Sequence, residues 1–201
     1  MRLIYGVGVN DIDYVAQKFT TIDKKDVLVW VCPFYSRWKS MLARCYSKKE
    51  QQAKPAYKGC SVCKEWLTFS NFKAWMEKQE WEGKSLDKDL LVRGNKVYSP
   101  DTCIFIDQRV NTFLTESTAT RGDYPIGVNF RQSRGKFAAS CCDITTSKRK
   151  YLGYFDTELE AHKAWLAFKL EQAKILAAEQ TDPRVAKALI ERYENYSLLC
   201  Y

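Results

Sequence analysis

Apolar positions in the last third of the chain change period once, and the change marks a sheet followed by a helix. Between Gly127 and Arg131 they alternate, with Val128 and Phe130 on one side and Asn129 and Arg131 on the other. Ser133-Arg134-Gly135 interrupts the run, and its glycine can take a positive φ and close a hairpin onto a second strand, Lys136 to Asp143. A polar turn, Thr145 to Lys148, leads to a third strand, Arg149 to Phe155. From Thr157 the period becomes helical. Ala161, Ala164, Trp165 and Phe168 form one apolar stripe, and Thr157 with Glu160 reads as a Thr-x-x-Glu capping box. If Val128, Phe130 and Leu152 go under this helix, the open face of the sheet carries Asn129, Arg131, Arg149 and Tyr151, with Arg134 and Lys136 at the turn. Asp182-Pro183 then starts a further helix, to about Asn195, with Val185, Leu189 and Tyr193 on one face. The apolar end, Leu198 to Tyr201, is expected to dock on the body or on another subunit.

The same reading predicts strands at Ile4 to Val9, kinked by glycines, and at Val27 to Cys32, joined by the polar Thr20 to Asp26. Phe34, Trp38, Met41, Leu42 and Cys45 are spaced for an amphipathic helix after Pro33. Arg37, Lys39 and Arg44 lie off its stripe and read as a solvated face. Lys48 to Lys54 reads as a charged loop. Within Glu65 to Lys78, Phe69, Phe72, Trp75 and Met76 mark a second core helix, capped by Thr68 or Ser70. Residues Ser85 to Leu114 read as strand, glycine hairpin at Gly94-Asn95, strand, turn at Pro100, short strand Cys103 to Ile106, and a helix holding Asn111. The polar stretch after Leu114 gives a linker at 119–123. It separates a domain at 1–118 from one at 124–178 with a helical extension at 179–201, an α+β protein throughout.

Charge narrows the function. Thirty-two Lys and Arg against 24 Asp and Glu give a formal net charge of +8, which favours an anionic partner over a small metabolite. No apolar run approaches membrane-spanning length and Met1 to Ile4 does not open a signal peptide, so a cytoplasmic protein without a membrane partner is expected. Its eight cysteines are then expected to be mostly reduced. Cys60-Ser61-Val62-Cys63 is a C-x2-C pair that could offer two thiolates to Zn2+. The other two ligands would have to come from Cys32, Cys45 or Cys103, because the only histidine is the distant His162. The alternative is that these cysteines are small buried apolar residues. A basic strand face with an interleaved tyrosine fits a DNA groove, and it equally fits an ordinary solvated sheet.

Gly127-Val128, Arg131, Gly135-Lys136-Phe137-Ala138-Ala139, Leu152-Gly153-Tyr154-Phe155-Asp156-Thr157, Glu160-Ala161 and Ala164-Trp165 together resemble the APETALA2/ethylene-response-factor DNA-binding domain over about 55 residues. The resemblance implies double-stranded DNA as partner and a three-stranded sheet as reader. The family's contact positions fall on Arg131, Arg134, Phe137, Ser140, Cys142 and Arg149, to which the open face adds Asn129, Lys136 and Tyr151. Arg134, Phe137, Ser140 and Cys142 depart from the family's residues, and Asn129 replaces its first arginine, so the plant target sequence does not carry over. Upstream, the order of elements in Ser85 to Leu114, with WKSMLARCY and EWLTFSNFKAW before it, is similar to the ββα-metal core of bacteriophage HNH homing endonucleases. In that family an Asp-His pair binds metal and activates water, a middle asparagine orients the histidine, and a residue on the final helix completes the site.

Here Asp87-Lys88 stands for Asp-His, Thr102 stands near the middle asparagine, and Asn111 keeps the last position. A protonated lysine has no lone pair to take a proton from water. The resemblance therefore implies a degenerate HNH-like core with no catalytic residues. Asp87, Asp89 and Asn111 remain as oxygen donors for Mg2+, or as carboxylates that cap a turn. The expected function is DNA binding without nuclease activity, in a host cell's cytoplasm if the gene is a phage's. The alternatives are an active metal-dependent nicking or homing endonuclease and a phage inhibitor that binds an acidic host protein. Most DNA affinity is expected in residues 119–201.

Overall fold

The computed structural model describes residues 3–115 and 123–196, and these form an α+β protein of two compact units, 1–107 and 108–201. The linker 119–123, except for Asp123, and the apolar end Leu198 to Tyr201 lie outside the described residues. No described helix is long and apolar enough to cross a membrane.

The first unit opens with a hairpin, β1 (Gln17–Ile22) and β2 (Lys25–Val31), followed by α1 (Pro33–Tyr46), α2 (Lys48–Ala53), β3 (Ser61–Val62) and α3 (Phe69–Met76). After these come β4 (Ser85–Asp87), β5 (Val97–Tyr98) and β6 (Ile104–Ile106). The aromatic spacing does produce α1 and α3. Trp38, Met41, Leu42, Phe69, Phe72 and Met76 are buried, with Trp75 packed against them, and the Trp38 indole Nε1 donates to the Trp66 carbonyl at 2.7 Å.

Five expectations need correction in this unit. Ile4 to Val9 is a tight turn held by Ile4–Gly8 and Val9–Thr68 bridges, because Tyr5 and Gly6 take positive φ. Gly8 packs so close to Leu42 and Trp38 that a Cβ would clash. The polar Thr20 to Asp26 belongs to the hairpin, whose turn is Asp23-Lys24 with both residues at positive φ, the backbone a two-residue loop demands. Lys48 to Ala53 is helical, started by the Ser47 hydroxyl accepting from Glu50 N. Helix α3 is capped across the unit by Asp11, whose carboxylate accepts from Ser70 N at 3.0 Å, while the Thr68 side chain makes no cap bond. Lastly, β4 and β5 form no hairpin with each other. Strand β4 pairs antiparallel with β6, and β5 pairs parallel with β3.

The second unit comprises α4 (Gln108–Leu114), β7 (Val128–Arg131), β8 (Lys136–Cys142), β9 (Arg149–Phe155), α5 (Glu158–Ala178) and α6 (Pro183–Glu194). The three strands form an antiparallel sheet in the order β7-β8-β9, as the alternation requires. Both bonds of the Thr157–Glu160 capping box are present, at 3.2 Å each. Ala161, Trp165 and Phe168 face inward, and α6 returns along α5 with Val185, Leu189 and Tyr193 buried. Gly127 is obligatory. At φ +83° its missing side chain leaves room for the Trp165 indole, which a Cβ would overlap. Phe130 is not covered by the helix. It is 38% exposed at the sheet margin, packed with Tyr124 and Phe137 instead.

Candidate nucleic-acid interface

Cross-strand register fixes which side chains share the face turned away from α5. Val128 pairs with Ala139 and Phe130 with Phe137, and these belong to the helix side, as the burial of Val128, Ala139 and Cys141 shows. Asn129 pairs with Ala138 and Arg131 with Lys136, on the open side. Between β8 and β9 the register shifts: Ala139 faces Gly153 but Ser140 faces Tyr151, so Leu152 is the extra residue of a β-bulge. Gly153 supplies the φ of +135° that the bulge needs. Because of that extra residue, Tyr151 and Tyr154 emerge on the same face although they are three apart. Leu152 turns under the helix, as expected.

The open face thus holds Asn129 and Arg131 on β7, Lys136, Ala138, Ser140 and Cys142 on β8, and Arg149, Tyr151 and Tyr154 on β9. The middle strand is short-chained beyond Lys136, so a rod can lie along it while longer chains reach from both sides. Gly135, at φ +61°, closes the β7–β8 turn and carries Arg134 over the Tyr154 ring at 4.6 Å. Tyr151 and Tyr154 meet at 5.1 Å between centroids. Desolvation and the neighbouring Tyr154 phenol push the Tyr151 hydroxyl above its ordinary range, against the pull of Arg134 and Arg131. It is a neutral donor and acceptor at physiological pH.

Arg131 and Arg149 are exposed and form no ion pair among the described residues. Lys136 is tied to Asp156 at 2.9 Å at the edge of the sheet. Lys148 is exposed in the β8–β9 turn, where Asp143 accepts from Thr145 N, Thr145 Oγ1 and Thr146 N and is held below the usual carboxylate range, first by the Thr145 hydroxyl. Five cations, Arg131, Arg134, Lys136, Lys148 and Arg149, therefore stand on one face and its two turns. Of the nine candidate residues, Phe137 is the one the register sets apart, since it packs with Tyr124 and Phe155 on the helix side. Lys150 also turns helixward, over the Phe168 ring at 4.6 Å. Tyr154 joins the face without having been foreseen. Strict alternation would have put it opposite Tyr151, and the only trace of the bulge in the chain is Gly153.

In the first unit, Asp87, Lys88, Asp89 and Thr102 are committed to holding a loop. Asp87 Oδ1 accepts from Asp89 N at 2.9 Å and Leu90 N at 2.7 Å. Burial, then the nearby Asp89, pushes its carboxyl up. Lys88 is 7% exposed, and its Nζ donates to Asp89 Oδ2 at 3.2 Å and to the Asn95 carbonyl at 3.0 Å. Asn95 returns the contact to Lys88 O at 2.6 Å. Thr102 Oγ1 donates to Val97 O at 2.9 Å. Asn111 belongs to the second unit, on α4.

This set does not fit Mg2+, because an ammonium already occupies the carboxylates' cationic neighbourhood. Nor do the cysteines fit Zn2+. Cys60 is buried with its Sγ 4.0 Å from the Ala56 carbonyl, and neither it nor Cys63 is gathered with two further ligands among the described residues. No three His, Cys, Asp or Glu converge as a metal site among the described residues. Neither a family model, nor a curated protein, nor a solved structure matches the chain.

Proposed function

We propose that the protein binds double-stranded DNA through the open face of β7-β8-β9, as an APETALA2-like module joined to a degenerate, HNH-like amino-terminal domain of phage type. The observation that carries this reading is the coincidence on one face of Arg131, Arg149, Arg134 and the Tyr151–Tyr154 pair around a short-chained central strand. Arginines reach guanine edges and phosphates, and the tyrosines supply flat apolar surface with hydroxyls that can donate or accept a hydrogen bond. The sheet's remaining polar side chains, Asn129 and Ser140, can bond base edges or phosphate oxygens. Opposite this face, α5 is committed to the core and begins with Glu158 and Glu160, so the phosphate-attracting field belongs to the sheet.

The same reading gives the amino-terminal domain no hydrolytic role. Lys88 sits where a general base is required, and its protons are spent on Asp89 and Asn95. The test is selection of a preferred duplex from a random pool by the full chain, followed by titration of Arg131→Ala and Lys148→Ala. Arg131→Ala should erode the preference for the selected duplex, while Lys148→Ala should weaken all duplexes alike. Equal, small effects of both would remove the sheet from the binding site.

A further inference from the structure

Positive charge in the first unit is gathered in one place. Between Lys39 and Lys58 six Lys and Arg stand against a single acid, Glu50, whereas the rest of residues 1–107 hold twelve of each sign. Three lysines elsewhere in the unit are neutralised by a neighbour, Lys73 by Glu77 at 3.1 Å, Lys84 by Glu80 at 2.9 Å and Lys88 by Asp89 at 3.2 Å. Lys39, Lys48, Lys49, Lys54 and Lys58 form no ion pair among the described residues. The fold brings them together. Helix α1 buries Tyr35, Trp38, Leu42 and Cys45, so Ser36, Lys39, Ser40 and Ala43 share its opposite face. Gln51 Nε2 donates to the Cys45 carbonyl at 2.6 Å and ties α2 to the end of α1. Over that face of α1 lies a groove of about 420 Å³, with Gln17 on the hairpin side and Glu50 and Lys54 on the α2 side. Lys48, Lys49 and Lys58 stand exposed on the same segment, and Lys96 Nζ reaches it to donate to the Ala56 carbonyl at 2.9 Å.

We propose that this lysine ridge and its groove are a second DNA site, which holds the phosphate backbone of a duplex without reading its sequence. The proposal does not rest on the sheet. Charge complementarity comes first, because duplex DNA presents one negative charge per about 1.7 Å of its axis and the ridge answers with a run of cations that nothing in the unit neutralises. The kind of cation then chooses between polyanions. The ridge's one arginine, Arg44, lies over the Tyr57 ring at 5.4 Å, so the cations left to a partner are lysines. Lysine is a hydrated point charge that meets phosphate from many directions, and it is depleted at protein–protein interfaces, where arginine's planar fork is enriched. An acidic protein is therefore the poorer fit. The donors beside the lysines, Ser36, Ser40 and Gln17, are of the kinds that bond phosphate oxygens. Shape decides against a lipid surface, since a flat layer of headgroups cannot enter a groove. With no arginine free to reach a base edge, this is the weaker of the two sites. It adds a second bound duplex at higher concentration and leaves the salt slope of the sheet's own binding as it is.

The test titrates the full chain with a labelled duplex of about 12 base pairs, little more than one helical turn, so that one duplex fills one site. Two binding events are expected, the weaker one indifferent to duplex sequence. Lys48→Ala/Lys49→Ala/Lys54→Ala, which keeps good helix formers on α2, should leave the first event's affinity and preference intact. It should weaken the second event by about tenfold or more at low salt and make its log–log salt slope shallower by about 2.7, the share of three phosphate contacts. If circular dichroism shows that this variant misfolds, Lys39→Gln/Lys58→Gln carries the same test with a smaller loss. Arg131→Ala/Arg149→Ala, run alongside, should weaken the first event alone. If the sheet does not bind, one event remains, and the lysine variant still weakens it. Binding that the folded lysine variants leave unchanged in every event overturns the proposal. So does displacement of the duplex from these lysines by polyglutamate or by phosphatidylserine vesicles at a lower charge concentration than unlabelled DNA requires.

Discussion

Lys136 and Asp156 show how much one side chain can tune the surface proposed for DNA. Their 2.9 Å pair is solvent-exposed on both sides and stabilises the fold little, but it keeps one of five cations half-neutralised at the rim of the face. Asp156→Asn should therefore tighten duplex binding about two- to threefold at low salt, with thermal stability nearly unchanged, and the gain should fade as salt screens the site. Fluorescence anisotropy with a labelled duplex reads both. Asp87 is the opposite case, a half-buried carboxyl whose charge is a burden. Its pKa is raised from 3.8 chiefly by desolvation, so the native state holds the proton more tightly than the unfolded chain does. Stability from this group consequently falls as pH rises from 3.8 through the folded-state value, and is not regained above it. Asp87→Asn, which keeps an oxygen for Asp89 N and Leu90 N, should raise the melting temperature at neutral pH. The difference between the proteins should vanish below the ordinary carboxylate range.

Among the elements, most caps, turns and stripes set by neighbours in sequence were legible, with α2, started by Ser47, and the Asp23-Lys24 turn as exceptions, and those governed by distant partners were not. The Thr157–Glu160 box, the positive φ of Gly135, the α1 stripe and the Asp182 cap of α6 are all local, and each is where the residues place it. The cap of α3 was not legible because Asp11 lies 59 residues from Ser70. Strand β1 was missed because Lys18, Thr20 and Thr21 offer no apolar alternation, and its pairing with β2 supplies what its own residues do not. The pairing of β4 with β6 rather than β5 is likewise a tertiary choice.

For the candidate site the costliest omission was the β9 bulge. One unpaired residue, Leu152, reverses the parity of everything after it and moves Tyr154 to the basic face. Tyr154→Ala should then cost DNA affinity about three- to tenfold, through the lost ring and the released Arg134, with little loss of fold because Tyr154 is exposed. Thr157→Ala should do the reverse. It should lower stability by about 1 kcal/mol, the usual worth of an N-cap, and leave affinity unchanged, as chemical denaturation and anisotropy on the same samples would report.

At the scale of the whole molecule, the two units divide the labour in the proposed reading: the first holds an aromatic core with a loop locked by Lys88, and the second carries the basic sheet. Supercoiled plasmid incubated with Mg2+ or Mn2+ should stay unnicked, and nicking abolished by Asp87→Ala would restore the nuclease reading. Binding itself is tested most directly by the salt dependence of duplex affinity for the full chain and for the Arg131→Ala/Arg149→Ala variant. With about five phosphates neutralised by Arg131, Arg134, Lys136, Lys148 and Arg149, the log–log slope should be about −4.5, and removing two contacts should make it shallower by about 1.8. A slope that the double variant leaves unchanged, or affinity indifferent to salt, would contradict DNA binding by this sheet.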